Sequence, residues 1–430
     1  MKLLDTIRHN MKSKIPWLLF CLLIQLHAQS QQILTLEECY SLANDNYSLI
    51  RQQELISKSA AYTVSNITKG ILPQVILNAQ ATYQSDVTAI KISLPGLKFD
   101  APSKDQYKAY ADIAQPITEL FTIRDQKELA EKNAEIQHQS VDVDLYKIRD
   151  RINQLYFGIL LVDEQLSLNK LVTTDLEAGR KRVESAIQNG VDYKSSLDKI
   201  KAELIRNNQR AIELKSQRNA CADMLGYFIN KKIDGNTRVM TPPVLSLAST
   251  NNRPELKMFD NKHTSYALQE RIVRNRNIPH VSIFLQAGAG KPNPLNMISN
   301  SFSPYYLGGL RLNWSLMNLY TGKNERSLLH LDRQSNDIQR ELFLFNSKLI
   351  EKQQSNEIAK LNELLQSDDE LVGLRTSVKQ TSGIQLENGI ITTNDYIREV
   401  NAEDQARQAK VLHQIQLLIA QYNLQNTAGN

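Results

Sequence analysis

The chain says the same thing twice, and that limits what it can fold into. Gln115-Pro116-Ile117-Thr118-Glu119-Leu120-Phe121-Thr122-Ile123-Arg124 returns as Trp314-Ser315-Leu316-Met317-Asn318-Leu319-Tyr320-Thr321-Gly322-Lys323, at an offset of 314 − 115 = 199. Asn189-Gly190 returns as Asn388-Gly389 at the same offset. Leu72-Pro73-Gln74-Val75 returns as Ile278-Pro279-His280-Val281 at 278 − 72 = 206, so the first copy carries 206 − 199 = 7 extra residues between Pro73 and Pro116. Two equivalent halves seldom enclose a catalytic pocket; they build rings, channels and arrays. The duplication divides the chain into a leader, 1–28, a first repeat, 29–241, and a second, 242–430.

The leader reads as an export signal. Lys2, Arg8, Lys12 and Lys14 precede an apolar run from Ile15 to Leu26, then Ala28, Gln29 and Ser30. The run is too short to span a bilayer, which predicts removal rather than anchoring. Cys21 follows Phe20, where a lipoprotein signal needs a small residue. The leader also holds three of the five net positive charges, so the remainder is near neutral and gives no case for nucleic acid. Cys39 and Cys221 are the only cysteines beyond it, too few for a disulfide framework.

Proline partitions what remains. None occurs from Ile117 to Thr241 or from Tyr305 to Asn430, and both stretches are rich in helix formers. Val141, Leu145, Ile148, Ile152, Leu155, Ile159, Val162 and Leu166 keep a 4-3-4-3-4-3-4 spacing, the seam of a left-handed coiled coil. The second copy keeps a thinner seam at Leu344, Ile358, Leu361 and Leu365, with Ser347, Glu351 and Gln354 between. The helix from Ile117 to Asn189 would run on the order of 100 Å at 1.5 Å per residue. Gly190 and Gly389 suit left-handed positions after each long helix, and helix resumes beyond them, so each copy contains a hairpin of helices.

The proline-bounded stretches alternate with period two, predicting strands at about 73–86, 105–115, 279–290 and 304–314. Val75, Leu77, Ala79, Ala81 and Tyr83 share one face; Gln74, Asn78, Gln80 and Thr82 share the other. The strand lengths suit an outer-membrane barrel, with the polar set lining a wet pore. Four strands cannot close a barrel and lipid forbids open edges, so several chains must share one; three would supply twelve strands.

With these features in place, the chain resembles the TolC-like outer-membrane efflux proteins. The resemblance rests on Leu34-Thr35-Leu36-Glu37-Glu38-Cys39-Tyr40-Ser41-Leu42-Ala43, Leu72-Pro73-Gln74, Asn252-Arg253-Pro254-Glu255-Leu256, and Asn313-Trp314-Ser315-Leu316 with Gly322, and it covers Leu34 to about Tyr422. It implies a fold of duplicated long helical hairpins forming a periplasmic α-barrel, with four strands per chain in a shared twelve-stranded transmembrane β-barrel. It implies a homotrimer in the outer membrane of a Gram-negative bacterium, extending into the periplasm and embedded in outer-membrane lipid. A periplasmic adaptor and an inner-membrane pump would be its partners, in efflux or type I secretion.

By motif position Gly190 and Gly389 would lie at the periplasmic tips, and Asp395 matches a position where aspartates ring the closed aperture. Ser196 stands at the corresponding place in the first copy, with Asp192 and Lys194 nearby. A second role for Asp395 is open, as a helix N-terminal charge favoured by the macrodipole. The chain departs from the pattern at Ile123, where the family usually has Gly, and at Ile391, where it has an aperture arginine. Ala186 and Gln385 replace the docking arginines.

No cofactor, metal or catalytic motif is expected. Gly288-Ala289-Gly290-Lys291 fails as a phosphate loop because Leu285 and Pro292 stand at its defining positions. The reading is a passive, non-enzymatic duct; the alternative is a non-conducting exported coiled-coil scaffold or adhesin. Cargo and pump class are not written in the residues.

Overall fold

A computed structural model describes residues 33–87, 101–243, 251–296 and 300–429. The expected signal segment, 1–28, and most of the loop after the first strand lie outside the described residues. The proline-free stretches form the two longest elements, helices α3 (Glu119–Gln188) and α6 (Met317–Glu387). Each turns at its Asn-Gly pair into a second helix, α4 (Lys194–Ile229) and α7 (Thr393–Ala428). Three shorter helices, α1 (Leu36–Asn46), α2 (Ile50–Lys69) and α5 (Pro254–Asn275), complete the described helical set. Thr35 caps α1 by accepting from the Glu38 amide, and Pro254 opens α5 at a position where its missing N–H costs nothing.

The strands fall where the alternation predicts: β2 (Gln74–Tyr83), β3 (Asp105–Pro116), β5 (His280–Lys291) and β6 (Ser303–Asn313). They form one antiparallel sheet in the order β2-β3-β5-β6. A separate two-residue parallel pair joins β1 (Ile33–Leu34) to β4 (Arg238–Val239).

The chain divides into two compact units, each drawing on both repeats. One comprises Met1–Tyr47, Lys147–Asn251 and Leu349–Asn430. Its core gathers Ile152, Leu155 and Ile159 of the seam and the adjoining Tyr156 and Phe157 with Leu36, Cys39, Leu225, Ile229 and Tyr422. The Tyr156 hydroxyl lies 3.0 Å from the Leu34 carbonyl and 2.7 Å from that of Met240, tying the β1–β4 pair to α3. Cys39 and Cys221 are free thiols, and burial, aided by Glu38, pushes Cys39 up to about 12. The seam is covered as its period requires: Val141, Leu145, Ile152, Leu155, Ile159 and Val162 are buried, Ile148 and Leu166 half-buried. In α6 only Leu361 and Ser347 of the thinner seam are fully covered.

The other unit comprises Ser48–Tyr146 and Asn252–Lys348 and holds the four-stranded sheet. At Gly322 an added Cβ would stand 2.9 Å from the Asn277 side chain. At Ile123, the counterpart of Gly322 in the first copy, the side chain lies 3.7 Å from where a Cβ on Gly70 would sit, an ordinary contact.

Candidate functional site: an inverted sheet and a paired helical tip

The sheet is inside out by the standards of a water-soluble domain. One face carries Val75, Leu77, Ala79, Ala81, Tyr107, Ala109, Ala111, Ile113, Ile283, Leu285, Ala287, Tyr306, Leu310 and Leu312, brought into one band by the cross-strand register. This face is the exposed one, with Leu77 80% and Leu310 73% accessible. The opposite face carries Gln74, Asn78, Gln80, Thr82, Lys108, Tyr110, Asp112, Gln286, Tyr305 and Arg311, with Phe284 and the exposed Ile76 and Leu307 among them. Most of these shield one another: Tyr305 is only 8% accessible, and Lys108, Tyr110, Asp112, Gln286 and Arg311 are half-buried. On edge strand β2, Asn78 and Thr82 are half-buried, while Gln74 and Gln80 are exposed.

The polar side chains are organised. Arg311 meets Asp112 at 3.4 Å and lies over the Phe284 ring at 4.5 Å. Gln286 donates to the same carboxylate at 3.2 Å, and Lys108 sits 4.5 Å from the centre of the Tyr110 ring. A face that groups polar side chains among themselves while leaving leucines bare suits apolar surroundings. Tyr83 and Tyr107 stand at one end of the apolar band and Trp314 beyond the other, as aromatics do at a membrane's two interfaces, while Tyr306 lies level with Leu77.

In the other unit the two hairpin turns are built alike. Gly190 and Gly389 take φ of +73° and +66°. The amides behind them bond back in the same way: Val191 to Ala186 at 2.9 Å, and Ile390 to Gln385 at 2.8 Å. The exposed crown of these turns is apolar, at Val191, Tyr193 and Ile390.

Asp192 joins the two turns. One oxygen accepts from the Tyr193 amide at 2.6 Å and from Ser196 at 2.7 Å; the other accepts from Thr393 of the second turn at 3.4 Å. Lys194 is exposed beside it. Asp395 closes a capping box on α7: Thr392 accepts from the Asp395 amide, and Asp395 accepts from the Thr392 amide and hydroxyl at 3.2 and 2.7 Å. The hydrogen bond from the Thr392 side chain, followed by that from its amide, holds the Asp395 carboxyl below the usual carboxylate range. Of the candidate aperture residues, the fold thus brings Asp192 against the second turn, with Ser196 bonded to Asp192 in the first, whereas Asp395 bonds within its own cap. Ile391, at the expected arginine position, packs half-buried against the core of Leu176, Val183, Ile200, Leu386, Tyr396 and Val400.

A buried ionic cluster behind the turns was not singled out by any motif. Lys379 of α6 lies 2.8 Å from Asp175 of α3 and 2.8 Å from Glu403 of α7. Arg407 reaches Glu403 at 2.7 Å, and Thr376 donates to the same oxygen at 2.7 Å. Burial alone would push Glu403 up; hydrogen bonds from Lys379, Thr376 and Arg407 outweigh it and hold the carboxyl low. Burial would likewise pull Lys379 down, and its bonds to Asp175 and Glu403 hold it high instead. The Tyr396 hydroxyl donates to the Asp175 carbonyl at 3.1 Å beside this cluster.

No family model and no curated protein matches the chain by sequence. Solved structures do match. CusC, a protein whose structures record conformational changes accompanying folding and transmembrane channel formation, superposes with a TM-score of 0.71 at 10% identity, covering 91% of each chain. The MtrE outer-membrane channel of Neisseria gonorrhoeae, in its open state, gives 0.68 at 14% identity over 92% of this chain and 89% of its own. The Campylobacter jejuni CmeC outer-membrane channel gives 0.64 at 13% over 92% and 85%. The chain therefore has the fold of these channel proteins, the TolC-like fold of long paired helices and four strands.

Proposed function

We propose that this protein is a passive exit duct in the outer membrane of a Gram-negative bacterium, reaching into the periplasm and serving an efflux or type I secretion pump. The observation that carries this reading is the inverted sheet, whose exposed leucines and shielded polar network fit lipid outside and water inside. Strands β2 and β6 end the sheet with unpaired edges, which lipid does not tolerate. Three copies joined edge to edge would close twelve strands into a homotrimeric barrel wide enough for a pore. Gln74, Asn78, Gln80 and Thr82 would then line the lumen.

The paired turns would form the periplasmic end. Asp192 and Asp395, repeated about an axis, would set the charge at the aperture, with Lys194 and Ser196 beside them. The apolar crown at Val191, Tyr193 and Ile390 supports docking of a periplasmic adaptor by hydrophobic contact rather than through arginine. The energy for transport would come from the inner-membrane pump.

Two measurements on the full-length protein test this. Reconstituted in planar bilayers, it should give discrete conductance steps. In cells, photo-crosslinkers at Asp192 and Ile391 should capture an adaptor. A monomer recovered from the periplasm, with no conductance, would sink the duct and favour a coiled-coil scaffold.

A further inference from the structure

Where each long helix leaves the sheet, both repeats carry the same three-part pattern. In the first copy it is Phe121, Arg124 and Lys127; in the second, at the common offset of 199, it is Tyr320, Lys323 and Arg326. Both aromatics stand bare, Phe121 at 75% and Tyr320 at 78% accessible, among exposed Leu120, Leu316, Met317 and Leu319. The four cations are exposed as well.

Their charge is not spent within the chain. Among the described residues Arg124, Lys323 and Arg326 make no ion pair, and Lys127 reaches Glu131 only at 3.9 Å on the surface. The neighbouring carboxylates are already matched by α5. Arg271 takes Glu128 at 2.6 Å and Asp125 at 3.4 Å, and Arg276 takes Glu325 at 3.3 Å. Lys323 and Arg326 also line a groove of about 280 Å³ with Tyr266, His330, Arg333 and Glu270, whose carboxylate is paired with Arg274 at 3.7 Å.

We infer that these two patterns form a phospholipid collar, each binding the phosphate of an anionic phospholipid headgroup in the inner leaflet of the outer membrane. The inference rests on the membrane reading above. Its geometry follows from helix rise: the two cations lie about 4.5 and 9 Å along the axis beyond the aromatic. The polar layer on each side of a bilayer's hydrocarbon core is roughly 5–8 Å deep. With Phe121 and Tyr320 at the hydrocarbon edge, continuous with the bare sheet face, the cations arrive at phosphate depth with their stems along the acyl region. A wet lumen would not favour the bare aromatics. A second copy of the chain could cover them but would leave the cations without counter-charge.

The test is native mass spectrometry of the purified full-length protein, released from detergent containing phosphatidylglycerol. The wild type should retain two phosphatidylglycerol molecules per chain. Replacing Arg124, Lys127, Lys323 and Arg326 by Ser should weaken retention roughly thirtyfold per site, about fivefold for each lost cation. A charge-keeping set, Arg124→Lys, Lys127→Arg, Lys323→Arg and Arg326→Lys, should retain it, which separates lipid binding from misfolding. Lys108→Ser, on the polar sheet face, should also leave retention unchanged. Equal retention by the serine variant and the wild type, or a membrane-embedded wild type that holds no phosphatidylglycerol, would overturn the collar alone. A wild type that is soluble without detergent would overturn both the collar and the membrane reading.

Discussion

Lys379 is where charges from three helices meet, and its surroundings decide what its loss would do. Lys379 bridges Asp175 and Glu403, Arg407 holds Glu403 from its other side, and Glu403 is almost wholly buried. Replacing Lys379 by Met leaves Asp175 without its ammonium and the buried Glu403 with Arg407 alone. Breaking a buried pair from one side costs about 3–5 kcal/mol, far more than a surface pair returns. Denaturant unfolding should show a loss of that order, and Lys379→Arg should recover most of it. The pH dependence follows from the direction of each shift. Glu403 is held low, so its contribution is present above its ordinary value of 4.5 and disappears as pH falls through its lowered folded value. Lys379 is held high, so its share is intact below its ordinary 10.5 and is lost only as pH rises through its raised folded value. Glu403→Gln should flatten the acid limb of the stability profile; a wild-type acid limb unchanged by that substitution would count against the cluster. None of this was legible in the sequence, because Asp175, Lys379 and Glu403 stand far apart with no common period.

At the scale of elements, what was legible were the features with a period. The strands lie within three residues of their expected ends, and the α3 seam is covered along its length. What the period does not say is which side of a helix its own chain covers. Helix α6 has a second apolar line, Leu328, Leu331, Ile338, Leu342 and Phe345, every member exposed, with Ser335 completing its 3-4 rhythm. A seam of coiled-coil spacing left bare by its own chain calls for a neighbouring helix, and a second copy supplies one in the homotrimer proposed above. Leu342→Glu with Phe345→Glu puts two charges into that contact without touching the covered seam. Light scattering in detergent should then show the assembly shift to monomers while helical content is kept. An assembly indifferent to both charges would place the subunit contact elsewhere.

For the whole molecule, the compact units each take segments from both repeats. The duplication was plain in the sequence; this interleaving was not, since linear offsets carry no information about which segments pack together. The surroundings of the molecule, by contrast, can be tested by a pair of adjacent residues. Leu77 and Asn78 follow one another in β2 and point to opposite faces of the sheet, opposite Ala111 and Tyr110 respectively. If the apolar face meets lipid, Leu77→Arg places a guanidinium in hydrocarbon, at a cost of about 2–4 kcal/mol per copy near mid-membrane. Three copies in one barrel would multiply that cost, enough to deplete the assembled protein in the outer-membrane fraction. Asn78→Arg puts the same charge on the face that already holds Lys108 and Arg311, where water would solvate it. That variant should assemble normally and shift the reversal potential in a salt gradient towards anions. A water-soluble sheet reverses the ranking: Leu77→Arg, on an exposed face, would be harmless, and Asn78→Arg, half-buried against Tyr110, would be the damaging change. The order of the two variants in membrane fractionation therefore reports what solvent each face of the sheet meets, independently of any likeness to known channels.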